Sequence, residues 1–142
     1  MDPKQVNAAD PSSYRFWVED HVRFADLDPL GHCNHAVISG FFESSRVALL
    51  AAAGHPLGEG GRSLSIARLL IEFRRELLHG AKVRVGARVA GLGRTSLTLA
   101  GAAFEGERCV ATAEVVGVLI DLGTRSPTGL PPDLRAGLSE YL

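Results

Sequence analysis

Five polar side chains able to take part in catalysis fall within ten residues of one another in the first third of the sequence. They are Asp26, Asp28, His32, Asn34 and His35. A carboxylate can attack a carbonyl carbon or take a proton from water, and an imidazole can carry a proton. The residue types therefore predict that any catalysis is centred on this segment.

The segment leads into a long helix. Gly31 tolerates a positive φ, so the chain can bend sharply just before the helix begins. Asn34 is a suitable N-cap and Gly54 a suitable residue beyond the last turn, which predicts a helix of about 18 residues, about 27 Å long. Twelve of the 18 positions from 36 to 53 are apolar. Such a helix is buried on most of its sides.

The N-terminus of this helix can take part in the same chemistry. The first backbone amides of an α-helix lack intrahelical acceptors and carry a partial positive charge. Such donors stabilise a carbonyl oxygen that gains negative charge during a reaction. The segment thus combines carboxylates with an oxyanion-stabilising helix end.

Five runs of alternating apolar or β-branched residues predict strands, with turn residues between them. They cover 14–24, 64–73, 82–89, 95–104 and 109–121. A polar link, Glu105-Gly106-Glu107, predicts a β-hairpin between the last two. Pro131-Pro132-Asp133 predicts the start of a short terminal helix.

The domain organisation is simple. Residues 1–13 are rich in polar residues and proline and predict a flexible N-terminal tail, whereas 14–142 predict one domain without a linker or repeat. A long apolar helix followed by an antiparallel meander predicts an α+β fold with the sheet curled round the helix. One face of a sheet would leave part of such an apolar helix exposed. A second copy of the chain is therefore expected to bury the rest.

The composition excludes several classes of protein. The chain has 142 residues, 46% of them hydrophobic, and a formal net charge of −1 with scattered Lys and Arg. This argues against nucleic acid or an anionic membrane surface as a partner. No apolar run reaches the ~20 residues that cross a bilayer. The N-terminal residues lack the apolar core of a signal peptide.

The two cysteines indicate a reducing, cytoplasmic location. Cys33 and Cys109 are too few and too far apart for a disulfide framework or a zinc cluster. Cys33 lies in the acidic segment, but no activating cation is evident beside it, so it is interpreted as a small packing residue.

Two runs of residues match a known family pattern: Val22-Arg23-Phe24-x-Asp26-x-Asp28-x-x-Gly31-His32-x-Asn34-His35 and Phe41-Phe42-Glu43-x-x-Arg46. Shorter pieces follow in the expected order: Ile71-Glu72-Phe73-x-Arg75 before Gly80, Leu92-Gly93-Arg94-Thr95-Ser96, and the run 116–121. Through these residues the sequence resembles the 4-hydroxybenzoyl-CoA thioesterase family of hotdog-fold acyl-thioester hydrolases. The resemblance covers residues 16–133.

The resemblance implies a hotdog fold, in which a five- or six-stranded antiparallel sheet wraps around one long central helix. It also implies a homodimer or homotetramer with active sites at the dimer interface. Asp28 matches the family's catalytic carboxylate, which acts as nucleophile or general base. The backbone N–H of His35 matches the oxyanion donor, and His32 and Asn34 are supporting candidates.

Several of these residues also have structural interpretations. Asp28 could do no more than form an Asx turn before the helix. Asp26 is interpreted as structural, because a carboxylate at a strand end accepts turn amides. Glu43 is a reserve catalytic candidate, since some hotdog thioesterases use a helix glutamate, but an i,i+3 pair with Arg46 would also account for it.

Neither a metal nor a separate cofactor is predicted. The residue types of Asp26, Asp28, His32 and His35 would suit a metal ion. The family needs no metal, however, and coenzyme A enters only as part of the substrate.

Substrate contacts are predicted at Gly31, Phe41, Phe42, Arg68, Arg94, Thr95 and Ser96. In the family the coenzyme lies near the link between the third and fourth strands, and Arg and hydroxyl groups suit its phosphate oxygens. An arginine on an exposed strand can equally be a solvated surface residue. The phenylalanines would contribute to an acyl pocket.

The predicted function is hydrolysis of an acyl thioester, on coenzyme A or acyl carrier protein, to a free acid and a thiol. Two alternatives stay open: a hotdog enoyl-thioester hydratase or dehydratase, and a module that binds an acyl thioester without turnover. The acyl group and the choice between coenzyme and carrier protein also stay open.

Overall fold

The structure is a computed structural model and describes residues 6–142. Its helices and strands are β1 (Phe16–His21), α1 (His35–Ala52), β2 (Arg62–Phe73), β3 (Lys82–Leu92), β4 (Ser96–Glu105), β5 (Arg108–Asp121), β6 (Ser126–Pro127) and α2 (Pro132–Ser139). Short 3₁₀ turns lie at Pro11–Ser13, Phe24–Asp26 and Glu59–Gly61. The strands form one antiparallel sheet in the order β1-β3-β4-β5-β2, and β6 pairs with the end of β5.

Helix α1 packs against one face of this curled sheet, mainly on β3, β1 and β4. Its N-terminal half, with Ile38 and Phe41, joins a core cluster that includes Val83 and Val85. Its C-terminal half, with Leu49 and Leu50, joins a second cluster that also contains Leu134 and Leu138 of α2. This confirms the predicted α+β hotdog architecture.

The predicted helix limits are confirmed. The side chain of Asn34 accepts a hydrogen bond from the Ala36 N–H at 2.9 Å, so Asn34 is the N-cap. Gly54 follows the C-cap residue Ala53 with a φ of +92°, a conformation in which a side chain would be strained. Local chemistry alone is therefore sufficient to begin and end this helix of 18 residues.

The first strand is shorter at both ends than the predicted 14–24. Tyr14 precedes it and packs against Trp17 and Phe104 in a small aromatic cluster. Its hydroxyl donates to the Ala8 carbonyl at 2.8 Å, and burial raises the pKa of Tyr14 to about 12. At the other end, Phe24 begins a 3₁₀ turn because the Arg23 N–H donates to the Asp26 side chain.

Part of the predicted N-terminal tail has local structure. Residues 1–5 lie outside the described range. Asp10 caps the 3₁₀ turn at Pro11–Ser13 by accepting from the Ser12 N–H at 2.9 Å, and the Ser13 hydroxyl donates to the Asn7 carbonyl. Sequence composition did not predict this turn, because its hydrogen bonds depend on the order of a few polar residues.

The other four predicted strands match the structure to within three residues. The largest difference is β3, which continues to Leu92 rather than Val89 because a bulge between Val89 and Gly91 lets pairing with β4 resume. The β4–β5 hairpin is confirmed, with Gly106 at a φ of +61°.

Strand β2 lies at the edge of the sheet, with β5 on one side only. It carries four large apolar side chains that are exposed: Ile66, Leu69, Leu70 and Phe73. An unpaired, apolar strand edge favours association with another strand. Within residues 6–142, no helix has the length and apolar character needed to cross a membrane.

Gly137 is expected to tolerate no side chain, because a Cβ there would collide with the carbonyl oxygen of Ala53 at the end of α1. Gly137→Ala should lower the free energy of unfolding by about 1–3 kcal/mol, measured from the midpoint of chemical denaturation. Gly40→Ala is the matched control, since Gly40 lies in α1 with nothing within 4 Å of a Cβ. It should raise stability by up to about 1 kcal/mol. Equal midpoints for the two variants would contradict this account of the packing.

Candidate functional site

The acidic segment forms a tight turn between Asp28 and Gly31. The Gly31 N–H donates to the Asp28 carbonyl at 3.0 Å, and Gly31 has a φ of +80°. Asp, Pro and Gly at the first, second and fourth positions are the residues that a type I turn favours. The Asp28 N–H donates to the His32 carbonyl at 2.8 Å, which closes the loop at its base.

The carboxylate of Asp28 has one occupied and one free oxygen. Oδ1 accepts from the Leu30 N–H at 2.8 Å and from the His32 N–H at 3.1 Å. Among residues 6–142, no donor is bonded to Oδ2. The Asx turn that the sequence offered as an alternative role is therefore present, and it orients the carboxylate without occupying the second oxygen.

Asp26 is a buried anchor beneath this turn. Its carboxylate accepts from the backbone N–H of Arg23 at 2.8 Å and from the Arg23 guanidinium at 2.8 and 3.2 Å. Its carbonyl accepts from the Asn34 N–H at 2.8 Å, which ties it to the start of α1. These bonds from Arg23, the guanidinium first, lower the pKa of Asp26. The structure thus agrees with a structural role for Asp26.

The first amide of α1 is free at this end of the molecule. Among residues 6–142, no acceptor is bonded to the His35 N–H, whereas the next amide is capped by Asn34. The imidazole of His35 stacks on Phe73, the last residue of β2, with ring centroids 3.9 Å apart and an interplanar angle of 13°. The stack fixes the side chain of His35 and leaves its backbone donor for another group.

His32 contacts a carboxylate that sequence reasoning missed. Its Nε2 lies 2.8 Å from Oε2 of Glu76, and its backbone forms a β-bridge with Leu78. Glu76 is 44 residues away in sequence and lies in the loop after β2, so no local spacing could have indicated the pair. Arg23, three residues before Asp26, could have been found from its spacing.

Cys33 is a buried packing residue, as expected. Burial raises the pKa of Cys33 to about 11, and the charges of Asp26 and Asp28 act in the same direction. The thiol is therefore protonated at neutral pH and is a poor nucleophile.

The helix candidates lie further from the turn. Glu43 is eight residues along α1 from His35, about 12 Å along the axis, and pairs with Arg46 at 3.4 Å. Burial lowers the pKa of Arg46. Phe41 and Phe42 are largely buried and belong to a core cluster of this chain.

The predicted coenzyme contacts do not meet the turn within one chain. Arg68 is paired with Glu114 at 2.6 Å. Arg94, Thr95 and Ser96 lie beyond the opposite end of β3, roughly 30 Å away at the usual rise per strand residue. These residues and Asp28 therefore do not form one compact site within a single chain.

The side chains considered as metal ligands are engaged separately. Asp26 is bonded to Arg23, His32 contacts Glu76, and His35 stacks on Phe73. Among residues 6–142, no three His, Cys, Asp or Glu side chains come together as a set of metal ligands.

Apolar side chains surround the turn on the molecular surface. Leu30 is 78% exposed, Phe24 is 76% exposed and Leu78 is 54% exposed. Phe24 packs edge-on against His79 in the same loop that carries Glu76. Exposed apolar side chains therefore lie in the turn that carries Asp28 and in the two neighbouring segments.

A curled antiparallel sheet against one long helix, with an acidic turn at the N-terminus of that helix, defines a hotdog protein of the thioesterase type. The model of the thioesterase-like superfamily matches residues 22–138. The chain belongs to this superfamily, which confirms the family that residues 22–46 indicated.

Solved structures agree with this assignment. A thioesterase from Thermus thermophilus, crystallised with coenzyme A and zinc, is 33% identical with a TM-score of 0.80, over 91% of this chain and 95% of that one. A protein from Pseudomonas aeruginosa is 24% identical with a TM-score of 0.84, over 92% and 93%. A 1,4-dihydroxy-2-naphthoyl-CoA thioesterase from Synechocystis is 18% identical with a TM-score of 0.80, over 88% and 96%. The last two comparisons show the shared fold.

Asp26→Asn is expected to destabilise the protein at neutral pH by about 2 kcal/mol, since it removes the charge that Arg23 binds. A carboxyl group with a lowered pKa in the folded state contributes stability above its unfolded pKa and loses it as the pH falls through the folded value. The thermal midpoints of wild type and variant should therefore converge as the pH falls through the lowered folded-state pKa of Asp26. Glu107→Gln, in the exposed hairpin, is the control. A gap that stays constant down to pH 2 would contradict the role of the ionised carboxylate.

Proposed function

We propose that the protein hydrolyses an acyl thioester, carried on coenzyme A or on an acyl carrier protein, to a free acid and a thiol. The observation that carries the proposal is the carboxylate of Asp28, with one oxygen held by two amides and the other free. It lies in the turn that leads to the free N–H of His35 at the start of α1. Membership of the thioesterase-like superfamily supports the same chemistry.

Asp28 and His35 have complementary roles in this proposal. Oδ2 of Asp28 either attacks the thioester carbon or takes a proton from the attacking water. The carbonyl oxygen gains negative charge in both routes, and the His35 N–H at the positive end of the helix dipole stabilises it. The side chain of His35 need not take part, because the donor is the backbone.

A homodimer formed through the β2 edges would complete the site. In an antiparallel pairing of two β2 strands about a two-fold axis, the Arg62 end of one strand lies beside the Phe73 end of the other. Arg94, Thr95 and Ser96 share the Arg62 end of the sheet, since the Leu119 N–H, opposite β2, donates to the Thr95 carbonyl. The partner chain would thus bring its predicted coenzyme contacts towards Asp28.

Asp28→Asn is expected to lower thiol release at least about 100-fold, because an amide neither attacks a thioester nor takes up a proton. Release is followed with a thiol-reactive dye on acyl-CoAs from acetyl to palmitoyl, on benzoyl and phenylacetyl-CoA, and on the corresponding acyl carrier proteins. The amide oxygen of the variant can still accept from the Leu30 and His32 amides, so folding should be retained. Glu43→Gln should keep its turnover.

Other outcomes would identify other functions. Loss of activity in Glu43→Gln but not in Asp28→Asn would assign catalysis to the helix glutamate. A change in enoyl absorbance without thiol release would indicate a hydratase. Tight acyl-CoA binding without turnover would indicate a binding module.

Leu69→Asp is expected to convert the dimer to monomers and to abolish turnover, because it places a charge on the partly exposed apolar edge of β2. Light scattering after size-exclusion chromatography measures the mass. Leu142→Asp is the matched control, since this exposed leucine lies at the C-terminus rather than on β2. A monomeric wild type with full turnover would refute the two-chain site.

A further inference from the structure

Glu76 and His32 form a polar pair beside the proposed site. Nε2 of His32 and Oε2 of Glu76 are 2.8 Å apart. Both side chains remain partly exposed, 37% for His32 and 58% for Glu76. A surface pair of this kind adds little to folding stability, so stability does not account for the close approach.

The backbone holds the two residues in register. The Cys33 N–H donates to the Leu77 carbonyl at 2.7 Å, and His32 and Leu78 form a β-bridge. The Gly80 N–H donates to the Val22 carbonyl at 2.9 Å, which fixes the far end of the loop. Backbone hydrogen bonds therefore hold the loop that places the Glu76 carboxylate against the imidazole of His32.

The distance determines where the imidazole carries its proton. A ring nitrogen with a lone pair would repel a carboxylate oxygen at 2.8 Å, so a proton must lie on Nε2. In the neutral ring the other nitrogen, Nδ1, is then the proton acceptor. A carboxylate on one ring nitrogen also stabilises the imidazolium that forms when the other nitrogen takes up a proton.

We infer that Glu76 is a positioning residue, which holds His32 in the tautomer that accepts a proton at Nδ1 during thioester hydrolysis. The inference rests on the proposed function and assigns His32 a role in it. The same backbone loop holds both catalytic groups, because the His32 N–H donates to Oδ1 of Asp28 and the His32 carbonyl accepts from the Asp28 N–H.

The proton transfers balance in the route where Asp28 is the nucleophile. Oδ2 bonds to the acyl carbon as the carbon–sulfur bond breaks, giving an acyl anhydride and a thiolate. Water then bonds to the acyl carbon and gives one proton to Nδ1 of His32 as the bond to Asp28 breaks. The imidazolium passes that proton to the thiolate, so one thioester and one water yield one acid and one thiol.

The test is a double-mutant cycle with Glu76→Ala and His32→Ala. Glu76→Ala should lower kcat at least about tenfold with KM within about twofold, because it removes a group that acts on the chemical step through the imidazole. The double variant should be no slower than His32→Ala alone. Glu107→Gln, another exposed carboxylate, is the control and should keep the wild-type rate.

A second readout is independent of turnover. Long-range ¹H–¹⁵N spectra at about pH 8, where an ordinary imidazole is neutral, report which nitrogen of His32 carries the proton. Wild type should show the proton on Nε2, and Glu76→Ala a mixture of tautomers. A merely structural Glu76 would leave this signature unchanged.

The outcomes separate the inference from the proposed function. Additive losses in the cycle, or a wild-type kcat in Glu76→Ala, would overturn the inference while hydrolysis stands. A mixture of tautomers in the wild type would also overturn it. If the wild type releases no thiol from any substrate, the proposed function fails and the catalytic part of the inference fails with it. The spectra then still decide whether Glu76 sets the tautomer.

Discussion

The geometry of the site depends on one buried carboxylate. Asp26 joins two pieces of chain: Arg23, just after β1, donates to its side chain, and Asn34, the N-cap of α1, donates to its carbonyl. The turn that contains Asp28 lies between these two attachments. Its ends are thus fixed independently of the turn itself. The cost of burying the charge is offset because every contact comes from a cation or a backbone amide.

Most of the fold could be predicted because it depends on local chemistry. Asn34 and Gly54 delimit α1 through their own conformational preferences, and the hairpin at Gly106 follows from one residue that tolerates a positive φ. The errors occurred where distant residues decide. Tyr14 leaves the first strand to pack with Trp17 and Phe104, and Phe104 is 90 residues away. The alternation of residues that predicts a strand does not show whether its end residues pack against distant parts of the chain instead.

The candidate site also has features that could be predicted from the sequence and features that could not. The Asx turn of Asp28 and the helix amide at His35 could be predicted, since both arise within ten consecutive residues. Glu76 could not, because β2 and the following loop carry it back to His32 only in the folded chain. The predicted coenzyme residues Arg94, Thr95 and Ser96 share a sequence pattern with the turn but lie at the far end of the sheet. A sequence pattern does not show whether its residues come together within one chain or between two chains.

The stacking of His35 on Phe73 joins the proposed oxyanion donor directly to the exposed edge of the sheet. In a protein that assembles through β2, the last residue of the paired strand therefore contacts the first residue of α1. Separation of the chains would loosen that ring pair and the amide beside it together. Turnover per molecule would then fall on dilution, and the rate would rise more steeply than in proportion to the amount of enzyme. The fraction of catalytically competent protein would then equal the fraction that is assembled, and both would depend on the concentration of the protein in the cell.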